Sequence, residues 1–196
     1  MGSCSDRGIA RLAVAVLMAA GLLAGGAATA LAQSVLFVED FENGWNGWSA
    51  DNGVWEIGAA NVGPGGSGSV AGTVLNGNYP YQAYSRLISP QIVLPAAPQD
   101  GSLWMRCAYW FNLHTDDGYD LAQVHTRVRQ NGQWGNWSAA VGQFWGWSAY
   151  WSEFMTDLAA FAGDTIQVAF LIDDEDGGYY GHAESYGLYL DHVVIL

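Results

Sequence analysis

Beyond residue 33 the chain is written in short runs of alternating apolar and polar residues, most of them closed by Gly, Asn, Asp or Pro. Alternation at period two sends successive side chains to opposite faces of a strand, so the runs predict β-strands. The opening stretch Val35–Trp48 (VLFVEDFENGWNGW) reads in its first half as a strand with Phe37 and Phe41 on one side and Asp40 and Glu42 on the other. Val54–Ile57 is a short run, and Tyr84–Leu94 reads as two strands broken at Pro90, because proline cannot donate to a central ladder. Ser102–Asn112 turns Leu103, Met105, Cys107, Tyr109 and Phe111 to one face, and Trp104, Arg106 and Trp110 to the other. Tyr119–Arg129 repeats the arrangement, with Ala122, Val124, Thr126 and Val128 inward and Gln123, His125, Arg127 and Arg129 outward. Thr165–Ile172, with Ile166, Val168, Phe170 and Ile172 inward, and Gly187–Leu196 complete the set. No segment sustains a 3.6-residue apolar period, so the fold class is all-β: a two-sheet antiparallel sandwich.

Two pairings follow from these patterns. The first and last strands are expected to lie side by side, which brings Asp40 and Glu42 to Asp191. Neighbouring carboxylates repel unless a cation sits between them, and oxygen donors suit a hard ion, so Asp40, Glu42 and Asp191 are the expected ligands of a structural calcium. A salt-bridged or solvated carboxylate cluster is the alternative. The strands Ser102–Asn112 and Tyr119–Arg129 are expected to form a hairpin through 114–118, with Arg106 opposite His125 and Trp104 opposite Arg127. Trp104, Arg106, Trp110, His125 and Arg127 would then share one sheet face.

Composition adds the setting. Arg7 and Arg11, an apolar run Leu12–Leu23, and small residues leading to Ala30-Leu31-Ala32 are the order of a secretory signal, predicted to be cleaved after Ala32 or, second, after Ala30. Retention as an anchor is the alternative, but the apolar run is short and glycine-rich. Cys4 lies ahead of that run, where lipid modification does not reach. Residues 33–196 form the single expected domain, and they end on a strand without a sorting tail. Without Asp6, Arg7 and Arg11, 18 of the 19 acidic residues face 4 of the 6 arginines, and there is no lysine. That balance disfavours nucleic acid and anionic membranes as partners. Cys107 alone remains of the 2 cysteines, so no internal disulfide can form. Its inward position predicts a buried, inert thiol.

Five tryptophans, Trp134, Trp137, Trp145, Trp147 and Trp151, crowd a loop-rich segment. Packing at the sandwich ends is the plain reading, and an exposed platform for sugar rings the sharper one. Asn136-Trp137-Ser138 is a formal glycosylation sequon. The glycine-rich stretch 61–69 lacks the lysine and helix of a phosphate cradle and reads as a loop. Asp173–Gly178 fails the EF-hand spacing and reads as a solvated acidic turn, and Asp116-Asp117-Gly118 as an ordinary hairpin turn. Hydrolase signatures are missing: no Gly-x-Ser-x-Gly, no His-Glu-x-x-His, and Glu153–Asp157 has the wrong spacing for a jelly-roll glycosidase.

The pieces EDFENGWNGW, SRLISPQIVL, YDLAQV with its NGQW turn, DLAAFAGDTIQVAFLID and GLYLDHVVIL stand in the order seen in secreted bacterial jelly-roll modules. The chain resembles the MAM-like group, which includes immune inhibitor A C-terminal, cleaved-adhesin and choice-of-anchor J domains. That resemblance implies a jelly roll, often with calcium near the meeting of the termini, used in adhesion, glycan binding or beside secreted enzymes. The DFE pattern falls on Asp40, Phe41 and Glu42, and the closing pattern on Tyr189, Leu190, Asp191 and His192, where histidine stands in place of a second aspartate. An oxygen-only site would therefore draw on backbone carbonyls or on Asp51 or Asn52. The expectation is an exported, non-catalytic, calcium-stabilised adhesion or carbohydrate-binding module, with a glycan or extracellular surface protein as partner. The alternatives are a matrix or filament subunit that self-assembles through its strand edges, and an accessory domain or glycoside hydrolase-like enzyme.

Overall fold

The structure, a computed structural model, describes residues 34–60, 68–96, 102–114, 120–174 and 185–196. The expected signal segment, the Gly-rich stretch 61–67, residues 116–118, expected as a turn, and the acidic residues 175–178 lie outside the described residues. The first sheet contains β11 (Ser152–Asp157), β7 (Trp104–Asn112), β13 (Gly187–Ile195), β4 (Val70–Gly72) and β3 (Glu56–Gly58) in that order, with β1 (Phe37–Glu39) also on β13. The second runs β10 (Gly142–Phe144), β8 (Asp120–Gln130), β12 (Thr165–Asp174), β5 (Tyr84–Ile88) and β2 (Ser49–Ala50), with β6 (Ile92–Val93) on β12 and β9 (Gln133–Trp134) on β8. Every pairing between these strands is antiparallel.

The expected alternation is what builds the core. Leu103, Met105, Cys107 and Phe111 from β7 and its approach meet Ala122 and Val124 of β8 and Ile166, Val168, Phe170 and Ile172 of β12, all buried between the sheets. Ser85 and Leu87 of β5 point the same way, and Pro90 separates β5 from β6 as proline should. Burial also pushes the Cys107 thiol up to about 12, which leaves it protonated and inert.

The two ends of the folded chain do meet. β1 pairs with β13 through Phe37↔Ile195, Val38↔Val194 and Glu39↔Val193. The opening strand is shorter than its pattern suggested, because it stops at Glu39 and Phe41 adopts a φ of 57°. That left-handed residue turns the chain so that Phe41 drops into the core, its ring 5.4 Å from Trp48. Asp40 and Glu42 therefore sit on a turn rather than side by side on a strand.

The expected hairpin does not form. β7 pairs with β11 and β13 in one sheet, whereas β8 pairs with β10, β12 and β9 in the other. Parity was read correctly for both strands, but alternation says only which face points inward. It does not say which of two sheets a strand joins.

Candidate functional site

The ligand face expected from the sequence is divided between the two outer surfaces of the sandwich. Trp104, Arg106 and Trp110 lie on the outside of the β7 sheet, and His125 and Arg127 on the outside of the β8 sheet. Trp110 is not open: it packs with Leu75 and Tyr189 in a small outer cluster that Trp151, Val70 and Ala60 help to cover. Trp104 is half-buried opposite Asp157, and Arg106 is exposed opposite Met155. What remains of the expected face is the pair His125 and Arg127, and around Arg127 the structure assembles a different set of residues.

The chain that leaves β9 runs back along the edge of β8, held by Gly135 N–H to Val128 O at 2.9 Å, Ser138 N–H to Thr126 O at 2.7 Å and Val141 N–H to Val124 O at 2.8 Å. This return lays Trp134 and Trp137 over the outward side chains of β8. The Arg127 guanidinium lies 4.3 Å from the centre of the Trp137 ring and 5.2 Å from that of Trp134. Arg86, which points outward from β5, sits 5.9 Å from Trp137 and 4.8 Å from Tyr84, and Arg129 sits 5.9 Å from Trp134. The result is a ladder in which Tyr84, Arg86, Trp137, Arg127, Trp134 and Arg129 alternate ring and cation. Beneath it Ala169 and Leu171, although they face outward from β12, are fully covered.

Polar groups fix the ladder. Gln167 Oε1 accepts from Arg127 Nε and Nη2 at 2.9 and 2.6 Å, and Gln167 Nε2 donates to Ser89 O at 2.7 Å. Asp51 pairs with Arg86 Nη1 at 3.1 Å, and the Arg86 Nη2 donates to the Tyr84 hydroxyl at 2.6 Å. Arg129 is held by the Gly132 carbonyl at 3.3 Å and Gln91 Oε1 at 2.8 Å. His125 meets Ser138 O at 2.9 Å and Gln123 Oε1 at 3.3 Å. Burial and the charge of Arg86 both lower the proton affinity of Arg127, which stays a cation at any ordinary pH.

None of the five crowded tryptophans is a core residue. Trp134 and Trp137 are half-buried in the ladder and Trp151 in the outer cluster, while Trp145 and Trp147 are 67% and 68% exposed. The plain reading of that segment as core packing is thus replaced by surface and near-surface rings. Tyr84 and Arg86 were not picked out from the sequence as site residues, whereas Trp134 and Trp137 were among the rings of the expected alternative, a sugar platform. The available signal for Arg86 was its place in the Tyr84, Arg86, Ile88 parity, opposite Ser85 and Leu87.

At the meeting of the termini the carboxylates are satisfied by the protein's own donors. Glu39, buried, accepts from Phe41 N–H at 2.8 Å and Asn46 Nδ2 at 2.9 Å. Asp40 takes Glu42 N–H at 3.2 Å, and Glu42 takes Ser69 N–H at 3.0 Å. Asp191 sits at a bulge in β13, bonded to His192 N–H at 2.7 Å and to His192 Nδ1 at 2.9 Å. Burial raises the Asp191 carboxyl, and the charge of Glu42 adds to the shift. Among the described residues no three carboxylate, histidine or cysteine side chains gather closely enough to hold a metal ion. The expected set of Asp40, Glu42 and Asp191 is therefore not a three-carboxylate cage, and what it offers a cation is Glu42 and Asp191 within reach of each other's charge.

A second buried polar group lies at the start of β8. Asp120 faces Asp174 across the β8–β12 ladder, the Tyr79 hydroxyl donates to Asp120, and Gln82 N–H donates to Asp174 at 2.7 Å. Desolvation and the neighbouring Asp174 raise the Asp120 carboxyl, so Asp120 holds a proton more tightly than a free carboxylate does.

No family model matches the chain. It is 34% identical over 164 residues to Bacillopeptidase F of Bacillus subtilis (strain 168), a match covering 81% of this chain and 10% of that protein. The chain thus spans about a tenth of the length of that curated relative. In structure it is similar to the K1 cleaved adhesin domain of Lys-gingipain from Porphyromonas gingivalis W83, with a TM-score of 0.55 and 18% identity over 82% of this chain and 96% of that one. The K3 cleaved adhesin domain gives 0.52 and 16% over 83% and 99%. The CBM22-1-CBM22-2 tandem of Paenibacillus barcinonensis Xyn10C gives 0.52 and 15% over 86% of this chain and 46% of that one. At these identities the likeness establishes the fold, an antiparallel jelly-roll sandwich.

Proposed function

We propose that the chain works outside the cell as a non-catalytic sandwich module that binds carbohydrate, or a glycosylated surface, through the outer face of its β8 sheet. The observation that carries this reading is the ladder of Tyr84, Trp137 and Trp134 interleaved with Arg86, Arg127 and Arg129. Rings presented on a rigid sheet stack against the apolar faces of sugars, and the guanidinium and amide groups beside them reach hydroxyls. Gln123, His125, Gln167 and Gln143 supply further polar atoms on the same face. Likeness in fold to an adhesin domain and a CBM22 tandem supports the reading, as does a match confined to about a tenth of a longer protein. Binding to a polysaccharide panel tests it. Trp134→Ala should weaken any glycan found by roughly 5- to 30-fold, the equivalent of about 1–2 kcal/mol for a lost ring contact. Binding that survives Trp134→Ala and Tyr84→Ala undiminished places the site elsewhere.

Calcium enters this proposal as a stabiliser held between Glu42 and Asp191, where the first and last strands pair. A bound ion at 100 times its dissociation constant stabilises a fold by about 2.7 kcal/mol. EDTA should then lower the melting temperature, and Asp191→Asn should do so without chelator. Superimposable melting curves with calcium and with EDTA would remove calcium from the account.

A further inference from the structure

Resting on that reading, we infer that the ladder face selects acidic glycans, taking a sugar carboxylate beside the guanidinium groups of Arg86, Arg127 and Arg129. The argument is one of local charge. Of the 6 arginines in the sequence, three share this one face, in a chain whose formal net charge is −13. Among the described residues the one carboxylate in a salt bridge with them is Asp51, which is spent on Arg86. Arg127 is met by the neutral amide of Gln167, and Arg129 by the neutral Gln91 and a backbone carbonyl. The face therefore carries two positive charges more than its salt bridge balances.

Two of those charges, on Arg86 and Arg127, are also partly buried and close together. Arg86 and Arg127 share Trp137, and burial together with the charge of Arg86 lowers the proton affinity of Arg127. The Arg86 side chain is 16% exposed, and its Nε is buried without an acceptor. Cations in excess of their paired counter-charge on a ring-lined surface are arranged for an anionic ligand that also stacks. A uronic acid meets both demands, with a pyranose face for Trp134 or Tyr84 and a carboxylate for the guanidinium fork.

The same charge balance disfavours densely charged polymers. Double-stranded DNA carries about one charge per 1.7 Å, and the remaining acidic surface repels it within a Debye length of about 10 Å at 0.1 M salt. A uronate-bearing sugar chain places its charges farther apart than DNA does, which lessens that repulsion while one carboxylate docks at the arginines.

The test uses the unaltered protein and three acidic oligosaccharides: trigalacturonate, trimannuronate and glucuronate-substituted xylotriose. Each is paired with its carboxyl-reduced neutral form and measured by calorimetry at 50 mM salt. The expected result is at least tenfold tighter binding of one or more acidic forms than of its reduced partner. That preference should shrink several-fold at 500 mM salt and be lost in Arg129→Gln, which leaves Trp134 in place. Equal binding of acid and reduced forms, or a neutral polysaccharide bound while every acidic form is refused, overturns this inference and leaves the carbohydrate-binding reading standing. An acidic preference unchanged in both Arg129→Gln and Arg127→Gln overturns it as well, because the carboxylate is then read elsewhere. Failure to bind any sugar of the wider panel removes both readings.

Discussion

Asp120→Asn is the substitution whose consequence can be worked furthest from the structure. Asp120 is 6% exposed, faces Asp174 directly in the β8–β12 register and accepts the Tyr79 hydroxyl proton. Burial, first, and then Asp174 raise its carboxyl from 3.8 to about 6. A carboxyl raised in the folded state binds a proton there that the unfolded chain has released. The fold is therefore most favoured near pH 4 as far as this group is concerned, and loses stability as the pH rises through about 6. Each tenfold change in proton affinity is worth about 1.4 kcal/mol, so ionised Asp120 costs at most about 3 kcal/mol at pH 7. Asparagine reproduces the protonated form: its oxygen still accepts from Tyr79, and its amide can donate to Asp174. Asp120→Asn should therefore raise the melting temperature at pH 7 by up to roughly 6–12 °C for a domain of this size. It should also flatten the rise that the wild type shows between pH 7 and pH 5. Differential scanning calorimetry across that range reads both. A wild-type melting temperature that is level or falls from pH 7 to 5, or a variant with the wild-type slope, would refute the argument. General relief of negative charge on acidification affects both proteins alike and cancels in their difference.

Three further outcomes follow from the packing. Trp110→Ala should destabilise the domain by about 3–5 kcal/mol, as truncation of a buried aromatic ring does, while leaving glycan affinity per folded molecule unchanged; a loss of affinity equal to that of Trp134→Ala would return the site to the β7 face. Native protein at pH 8 should resist iodoacetamide at Cys107 for hours and react promptly in urea, and equal rates in both states would contradict the burial found here. Gly187→Ala should cost more than about 1 kcal/mol in denaturant titration, because Gly187 has a φ of 88° and an added Cβ would press on Thr73 and Tyr79; an unchanged midpoint would show that the entry to β13 can relax.

What the sequence disclosed, and what it withheld, divides along the range of the interactions involved. Inward parity is a local property, and it was legible for Leu103 to Phe111, for Ala122 to Val128 and for Ile166 to Ile172. Adjacency of the terminal strands was also legible, because both are strongly patterned and the jelly-roll likeness places them together. Sheet membership was not. β7 and β8 follow one another in the chain and match in parity, yet they belong to opposite sheets, and nothing in their alternation records the crossing. The joining of Trp134 and Trp137 to Arg86 and Arg127 was missed for a related reason: Arg86 and Arg127 are far apart in sequence, and Trp137 reaches them only because the return after β9 runs along the β8 edge. The repulsion argued for Asp40 and Glu42 was physically sound, but a break in the strand at Phe41 and backbone N–H donors relieve much of what a cation was expected to relieve.

The proposed binding face is tested most directly by an NMR titration of labelled protein with the tightest-binding oligosaccharide, following indole and guanidinium N–H signals. The account predicts saturable shifts at Trp134 and Trp137 Nε1–H and at Arg86, Arg127 and Arg129 Nε–H, with Trp104 and Trp110 unmoved. Shifts centred on Trp104 and Arg106, or on Trp145 and Trp147 with the ladder silent, would contradict it.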